Sequence, residues 1–149
     1  MNPLPLGLGV AAAALSLVGL ASLGRALDVQ ITTVQASTHG PSDAQLLGLR
    51  PRLRRLVGYR SFRVVGQERR SCTWRSSEAF VIPGGRALYV VPKAMRDETV
   101  VMQVRLLDGP RSLVDTDVRL QNRGVMLFGV EKDTRADEGA LIIMLRAEE

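Results

Sequence analysis

The most distinctive chemistry in this sequence is a run of arginine. Residues 50 to 75 include nine arginines and a single acidic residue, Glu68, whereas residues 76 to 149 carry ten basic and twelve acidic residues. Guanidinium groups bind carboxylates and phosphates through paired hydrogen bonds, so the run predicts contact with an anionic surface. The candidate contact residues are Arg50, Arg52, Arg54, Arg55, Arg60, Arg63, Arg69 and Arg70.

Three interpretations of the arginine run remain open. The run can be a solvated helix face and strand edge that binds nothing. It can contact an anionic envelope surface, such as phospholipid headgroups, lipopolysaccharide phosphates or an acidic protein. It can bind nucleic acid, with Tyr59, Phe62 and Trp74 stacking on bases. These aromatics alternate as core residues of strands do, and we do not expect nucleic acid as a partner.

Residues for catalysis or metal binding are sparse. His39 is the only histidine and Cys72 the only cysteine, so no zinc-ligand spacing exists. His39 lies in a Gly/Pro loop, where a solvated histidine is typical, and Cys72 is expected to be a small buried hydrophobe. Asp115 and Asp117 share the outward face of a strand, where paired carboxylates can transfer protons, but neighbouring arginines favour an ionic surface. We predict no enzymatic activity and no cofactor.

An acidic stretch near the C-terminus is the other candidate ligand site. Residues 131 to 139 contain four carboxylates and end in Gly139, a composition that calcium favours. The DxDxDG spacing is absent, so we expect a polar loop and no bound metal. A secreted enzyme whose carboxylates assemble a site in the folded chain is the alternative from another functional class.

The opening segment determines where these residues act. No ionisable side chain occurs from Met1 to Gly24, and about 20 apolar residues are long enough to cross a bilayer. Small residues at positions 24 and 26 also suit signal-peptide cleavage after Ala26, although the segment lacks a basic n-region. Residues 1–26 are therefore predicted to be a signal peptide or a membrane anchor rather than a core helix. A misread N-terminus would instead leave a nucleic-acid-binding protein in the cytoplasm.

Either form of this segment implies export. We expect residues 27–149 to be periplasmic, or membrane-anchored with the domain on the non-cytoplasmic side. Because the arginine run begins 25 residues after the apolar segment, a retained anchor is expected to hold it near the bilayer, where each basic residue contributes about 1 kcal/mol.

The elements that position the arginines are mostly β-strands. Residues 27–149 are long enough for a single domain and show seven or eight short alternating segments separated by turns. This spacing predicts a mainly β fold, an antiparallel β-sandwich or a partly open barrel, with one short N-terminal helix over about residues 43–57. The segments 59–67 and 71–74 read as separate strands, and the apolar final segment is expected to lie centrally in a sheet.

Local signals refine two of these elements. Ser42 and Gln45 match a capping box, and Leu46, Leu49, Leu53 and Leu56 follow at helical spacing. Pro51 predicts a kinked helix or two short pieces that end near Gly58. A hairpin is predicted from the alternating segments 98–107 and 113–120. Pairing Leu106 with Val114 in this hairpin aligns the apolar rows and sets Arg105 against Asp115.

Part of the chain resembles a family of short exported β-domain proteins of Gram-negative bacteria. The resemblance covers roughly residues 27 to 147, and departs from the family at 128–131, where a second glycine is expected beside Gly129. It implies a β domain and an exported location, and it supplies no activity that can be transferred to this chain. The residues that carry it are Tyr59-Arg-Ser-Phe62-Arg-Val, Ile82-Pro-Gly-Gly-Arg86-Ala-Leu88, Val91-Pro92 and Gly139-Ala-Leu-Ile-Ile143.

Together these features predict a non-enzymatic exported protein of the cell envelope. We expect it to act as a structural or binding module whose partner is an envelope protein or an anionic lipid surface.

Overall fold

The computed structural model describes residues 26–130 and 139–149. Within these residues eight strands are formed, and a 3₁₀ helix, Ala44–Leu49, and an α-helix, α1 (Arg50–Val57), lie between the first two strands. The strands are β1 (Ala26–Ser37), β2 (Ser61–Thr73), β3 (Glu78–Ile82), β4 (Arg86–Arg96), β5 (Thr99–Asp108), β6 (Arg111–Gln121), β7 (Val125–Val130) and β8 (Ala140–Glu148).

The strands form two antiparallel four-stranded sheets that are not closed into a barrel. Sheet A has the order β2-β1-β8-β7 and sheet B the order β3-β4-β5-β6. The fold is therefore the predicted mainly β class, and of the two predicted architectures it is the sandwich rather than the partly open barrel. Strand β8 lies between β1 and β7, which confirms its predicted central position.

The main core lies between the two sheets and follows from period-two alternation. In β1 the residues Leu27, Val29 and Ile31 are almost completely buried. Val29 and Ile31 lie beside Ala147 and Leu145 of β8, and Leu27 lies beside Cys72 of β2, with their side chains on the same face. Cys72 joins this core from β2 and has no exposed surface. Apolar side chains from every strand thus hold the two sheets together, and most of these side chains are fully buried.

A second, smaller core lies on the outer face of sheet A, under the helices. Leu46 and Leu53 of the helical segment pack on Val34, Phe62 and the start of β8. At that point Gly139 has φ +85°, and a Cβ built on it would lie 2.1 Å from the Ala36 carbonyl oxygen. Only glycine fits this close approach, so the layer depends on its position at the start of β8.

The helical segment consists of two pieces, as Pro51 predicts. Pro51 lies in the first turn of α1, where its missing N–H costs little, and the helix ends at Gly58, which has φ +72°. The predicted capping box is wrong. The Ser42 hydroxyl accepts a hydrogen bond from the Phe62 amide at 3.1 Å, and the N-cap residue, Asp43, makes no side-chain cap. The unpaired backbone of β2 competes successfully for these groups.

Strand pairing confirms one prediction and corrects another. Leu106 lies opposite Val114, and Arg105 opposite Asp115 with 3.6 Å between Nε and Oδ2. Residues 59–67 and 71–74, predicted as separate strands, form the single strand β2. Its polar middle continues to pair with β1, as Arg70 opposite Val29 illustrates. Backbone hydrogen bonds between strands do not require apolar side chains. The polar residues in the middle of β2 therefore do not interrupt the strand, although the sequence pattern predicted a break there.

Candidate anion-binding surface

The eight candidate contact arginines fall into two groups. Five lie on or beside the helical segment, and we call these five the arginine surface: Arg50, Arg52, Arg54, Arg55 and Arg60. The other three, Arg63, Arg69 and Arg70, lie in β2. Arg63 alternates with Phe62 and Val64, which pack under the helices, so its side chain lies on the opposite face of sheet A.

Helix α1 presents its arginines because Leu53 is fixed beneath it. Leu53 is fully buried against sheet A, and successive helical residues are about 100° apart. Arg55 therefore projects away from the sheet, while Arg52 and Arg54 project to either side. All three are exposed. Arg50 is half-buried and donates a hydrogen bond from Nη2 to the Arg60 carbonyl at 3.3 Å, which connects the start of α1 to the chain that returns to β2.

No carboxylate neutralises the arginine surface within residues 26–130 and 139–149. None of its five guanidinium groups, nor that of Arg63, lies in an ion pair with a residue of these ranges. Asp43 is the only acidic residue between positions 29 and 67. Its carboxylate accepts a hydrogen bond from the Val64 amide at 2.7 Å and its amide donates to the Phe62 carbonyl at 2.9 Å. The one nearby acid of the sequence is thus engaged by β2.

The two arginines in the second half of β2 have carboxylate partners. Arg69 pairs with Asp28 at 2.9 Å on the part of sheet A that the helices leave uncovered. Arg70 pairs with Glu68 and with Glu78, the latter at 3.5 Å, and its guanidinium lies over the Phe80 ring, 5.1 Å from the centroid. These two residues are not brought together with the arginine surface.

Arg70 and Glu68 close the edge of the sandwich between β2 and β3. Arg70 donates to the Ala79 carbonyl, and Glu68 accepts from the Val81 amide at 3.3 Å. Side chains of one edge strand therefore satisfy backbone groups of the other. Inward-pointing charges of this kind also protect strand edges from pairing with other chains. Arg70 has a structural role, although the sequence places it beside the candidate contact residues.

The arginine surface lies far from the start of β1. The helices cover the outer face over Val34 and Ala36, near the end of β1, and a strand rises about 3.3 Å per residue. Roughly 30 Å of strand separates that region from Ala26, and the Debye length in physiological salt is about 8 Å. The short sequence distance between the apolar segment and the run therefore does not imply proximity.

Exposed apolar residues accompany the arginine surface. Four large hydrophobic residues are exposed within the described ranges, and two of them, Leu47 at 57% and Leu56 at 43%, lie in the helical segment. The other two, Val65 at 39% and Val81 at 79%, lie in β2 and β3. Sequence reasoning placed Leu56 on the buried stripe. It missed Leu47, although the Leu46-Leu47 pair was a usable signal because adjacent helical residues cannot both face the sheet.

The other candidate chemical groups lie apart from one another. His39 is exposed in the loop after β1. Burial raises the pKa of the Cys72 thiol to about 11, with a further increase from the charge of Glu78, so the residue is an unreactive core thiol. Asp117 pairs with Lys93 at 3.0 Å, and Asp115 pairs with Arg105. In the described part of the chain, no three His, Cys, Asp or Glu residues group as metal ligands.

The aromatics interleaved with the arginines belong to the two cores. Phe62 has no exposed surface, Tyr59 packs against the smaller core, and Trp74 packs against the main one. Their rings are therefore not arranged as a platform for stacking bases. The predicted acidic loop lies outside the described residues except for Gly139.

Comparison with protein-family models, with curated proteins and with solved structures finds no match to this chain. Among the described residues, no helix has the length and apolar character needed to span a bilayer.

Proposed function

We propose that this protein is a non-enzymatic, exported module of the cell envelope that binds an anionic surface through the arginine surface. The observation that carries the proposal is the contrast in pairing. Arg52, Arg54 and Arg55 are exposed without a carboxylate partner among the described residues, whereas Arg69 and Arg70 are paired. Guanidinium groups without internal partners are available for phosphates or carboxylates of another molecule.

The scaffold supports this role. The arginines lie on a helical segment that is fixed by Leu53 below and by the hydrogen bonds of Ser42 and Asp43 to β2. Because the helix is held before binding, little conformational entropy is lost by its backbone when a ligand arrives. The export expected from the opening segment would deliver this surface to an environment rich in anionic lipid headgroups.

The binding experiment uses the full chain and two anionic probes, immobilised heparin and vesicles containing 30% anionic phospholipid, with neutral vesicles as the reference. Comparison with neutral vesicles corrects for binding through the apolar N-terminal segment. The test variant is the triple change Arg52→Ser, Arg54→Ser and Arg55→Ser. The matched control makes the same change in charge at Arg96, Arg119 and Arg146, which are exposed elsewhere.

At about 1 kcal/mol for each arginine near an anionic surface, the test variant should bind the anionic vesicles about 100-fold more weakly. The control should lose less than 10-fold. A test variant that binds both anionic probes as tightly as the unmodified chain would contradict the proposed function.

Export is tested separately by fractionating cells that express the full chain and measuring the intact mass of the recovered protein. A periplasmic species that begins at Leu27, or a full-length species in the membrane fraction, agrees with the proposal. A full-length species in the cytosol would contradict the envelope location.

A further inference from the structure

The residues around the arginine surface point to the kind of anion it binds. Soluble polyanions offer charge alone, while a lipid bilayer offers anionic headgroups above an apolar layer. A surface for the first needs only basic groups, and a surface for the second also benefits from exposed aliphatic side chains. The two cases therefore differ in what should surround the arginines.

Exposed aliphatic side chains are concentrated beside these arginines. Leu47 and Leu56 are 57% and 43% exposed, and both belong to the same helical segment as Arg52, Arg54 and Arg55. Arg52 and Leu56 are four residues apart in α1, so they lie on the same side of the helix one turn apart. Exposed leucines are common on protein surfaces, so the position of these two on the same element as the arginines, rather than their exposure, carries the argument.

Leu56 contacts the sheet with only part of its side chain. Leu56 lies over β7, where a Cβ built on Gly129 would be 3.5 Å from the leucine Cγ, so the residue has one side on the sheet and the other towards solvent. Its neighbour Val57 packs against the smaller core. The helical segment thus carries exposed apolar side chains as well as exposed arginines.

From this juxtaposition we infer that the arginine surface binds a lipid bilayer, with its guanidinium groups on the phosphates of anionic headgroups and with Leu47 and Leu56 entering the interface. The inference rests on the proposed function and adds the class of partner to it. The bilayer need not be the one that receives the apolar N-terminal segment, since roughly 30 Å of strand separates the two regions.

Charge and apolar burial respond differently to salt, and the experiment uses this difference. Headgroup contacts weaken as salt screens them, while leucine burial does not. The full chain is bound to vesicles containing 30% anionic phospholipid and to immobilised heparin, each from 0.05 to 0.5 M salt. The variant Leu47→Ser with Leu56→Ser is compared with Val81→Ser, which changes the most exposed valine of the described residues, on the outer face of sheet B.

Burying the exposed part of the two leucines is equivalent to burying about one whole leucine side chain, so the double variant should bind anionic vesicles roughly 10-fold to 30-fold more weakly. Its affinity for heparin should stay within 2-fold, and Val81→Ser should change neither affinity. The unmodified chain should also keep part of its vesicle binding at 0.5 M salt.

Two outcomes would overturn the lipid inference and leave the proposed function standing. In the first, the leucine variant binds vesicles as well as the unmodified chain while the arginine triple variant does not. In the second, the unmodified chain binds heparin through the arginines and shows no preference for anionic over neutral vesicles. Failure of the arginine triple variant to change either affinity would overturn both proposals.

Discussion

Arginine has opposite roles in two neighbouring regions of sheet A. In the second half of β2, Arg70 bridges Glu68 and Glu78 and donates to the backbone of β3, so its charge closes the edge of the sandwich. On the helical segment, Arg52, Arg54 and Arg55 are exposed and have no carboxylate partner among the described residues. One group of arginines completes the fold, and the other is the group that we propose binds a different molecule.

Pairing, rather than the density of charge along the chain, separates a structural arginine from a candidate binding residue. Arg63 and Arg69 lie six positions apart in one strand, yet of these two only Arg69 has a carboxylate partner among the described residues, Asp28 across the sheet. An acid that is distant in sequence decides the difference. The predictions below remove one side of this comparison at a time, beginning with the largest expected effect.

The substitution Leu53→Ala should remove the foundation of the arginine surface. Leu53 is fully buried under α1, so its truncation should reduce the free energy of unfolding by about 2–5 kcal/mol. Urea denaturation followed by tryptophan fluorescence measures this loss. The control Leu56→Ala, at a residue that is 43% exposed, should cost less than about 1 kcal/mol. Equal losses would mean that the helix is not held by Leu53.

The substitution Arg70→Ala should weaken the closure between β2 and β3. It leaves the Ala79 carbonyl and two glutamates without their partner, and we expect a loss of about 1–2 kcal/mol in the free energy of unfolding. Arg69→Ala removes an ion pair whose side chains are 65% and 46% exposed, and such pairs contribute less than about 1 kcal/mol. Urea denaturation of both variants should show a larger loss in the free energy of unfolding for Arg70→Ala than for Arg69→Ala. The reverse order would contradict the structural role of Arg70.

The buried thiol predicts a pH dependence of stability. The pKa of Cys72 is raised from 9.0 to about 11 in the folded protein, so deprotonation favours the unfolded chain between these values. Stability from this group is present below pH 9 and is lost as the pH rises towards 11, by about 1 kcal/mol at pH 10. Comparing the unmodified chain with Cys72→Ala at pH 8 and pH 10 isolates this contribution. An identical pH dependence in both proteins would contradict the assignment of a buried, protonated thiol.

The arginine triple variant should show the smallest effect on stability. Exposed side chains contribute little to folding, and removing three neighbouring like charges also relieves their mutual repulsion, so changing Arg52, Arg54 and Arg55 to serine should alter the free energy of unfolding by no more than about 0.5 kcal/mol in total. Thermal and urea denaturation test this expectation. A loss as large as that of Arg70→Ala would show that these arginines are structural too, and the comparison would fail.

The parts of the fold that depend on alternation were predictable from the sequence. The pairing of Leu106 with Val114 follows from apolar alternation, the central β8 from a segment that is apolar on both faces, and the two helical pieces from Pro51. The capping box failed because the Phe62 amide, twenty residues away, takes the Ser42 hydroxyl. A contact of this range leaves no local pattern.

The candidate site was predictable only in outline. The sequence identifies the arginine run, but it does not separate Arg70 from Arg63, because Glu78, one of the two acids that pair with Arg70, reaches it through the meeting of two sheet edges. The helical spacing also assigns Leu56 to the buried stripe. A two-turn helix contacts the sheet over a narrow strip, however, and the width of that strip depends on packing that the spacing does not reveal.

Arginine footprinting tests the central claim most directly. The full chain is treated with phenylglyoxal, with and without vesicles containing 30% anionic phospholipid, and the modified positions are mapped by mass spectrometry. We predict rapid modification of Arg52, Arg54 and Arg55 in the free protein, slow modification of Arg70, and selective protection of the first three by the vesicles. Equal reactivity of Arg70 and the helix arginines, or protection confined to Arg96, Arg119 and Arg146, would contradict the account.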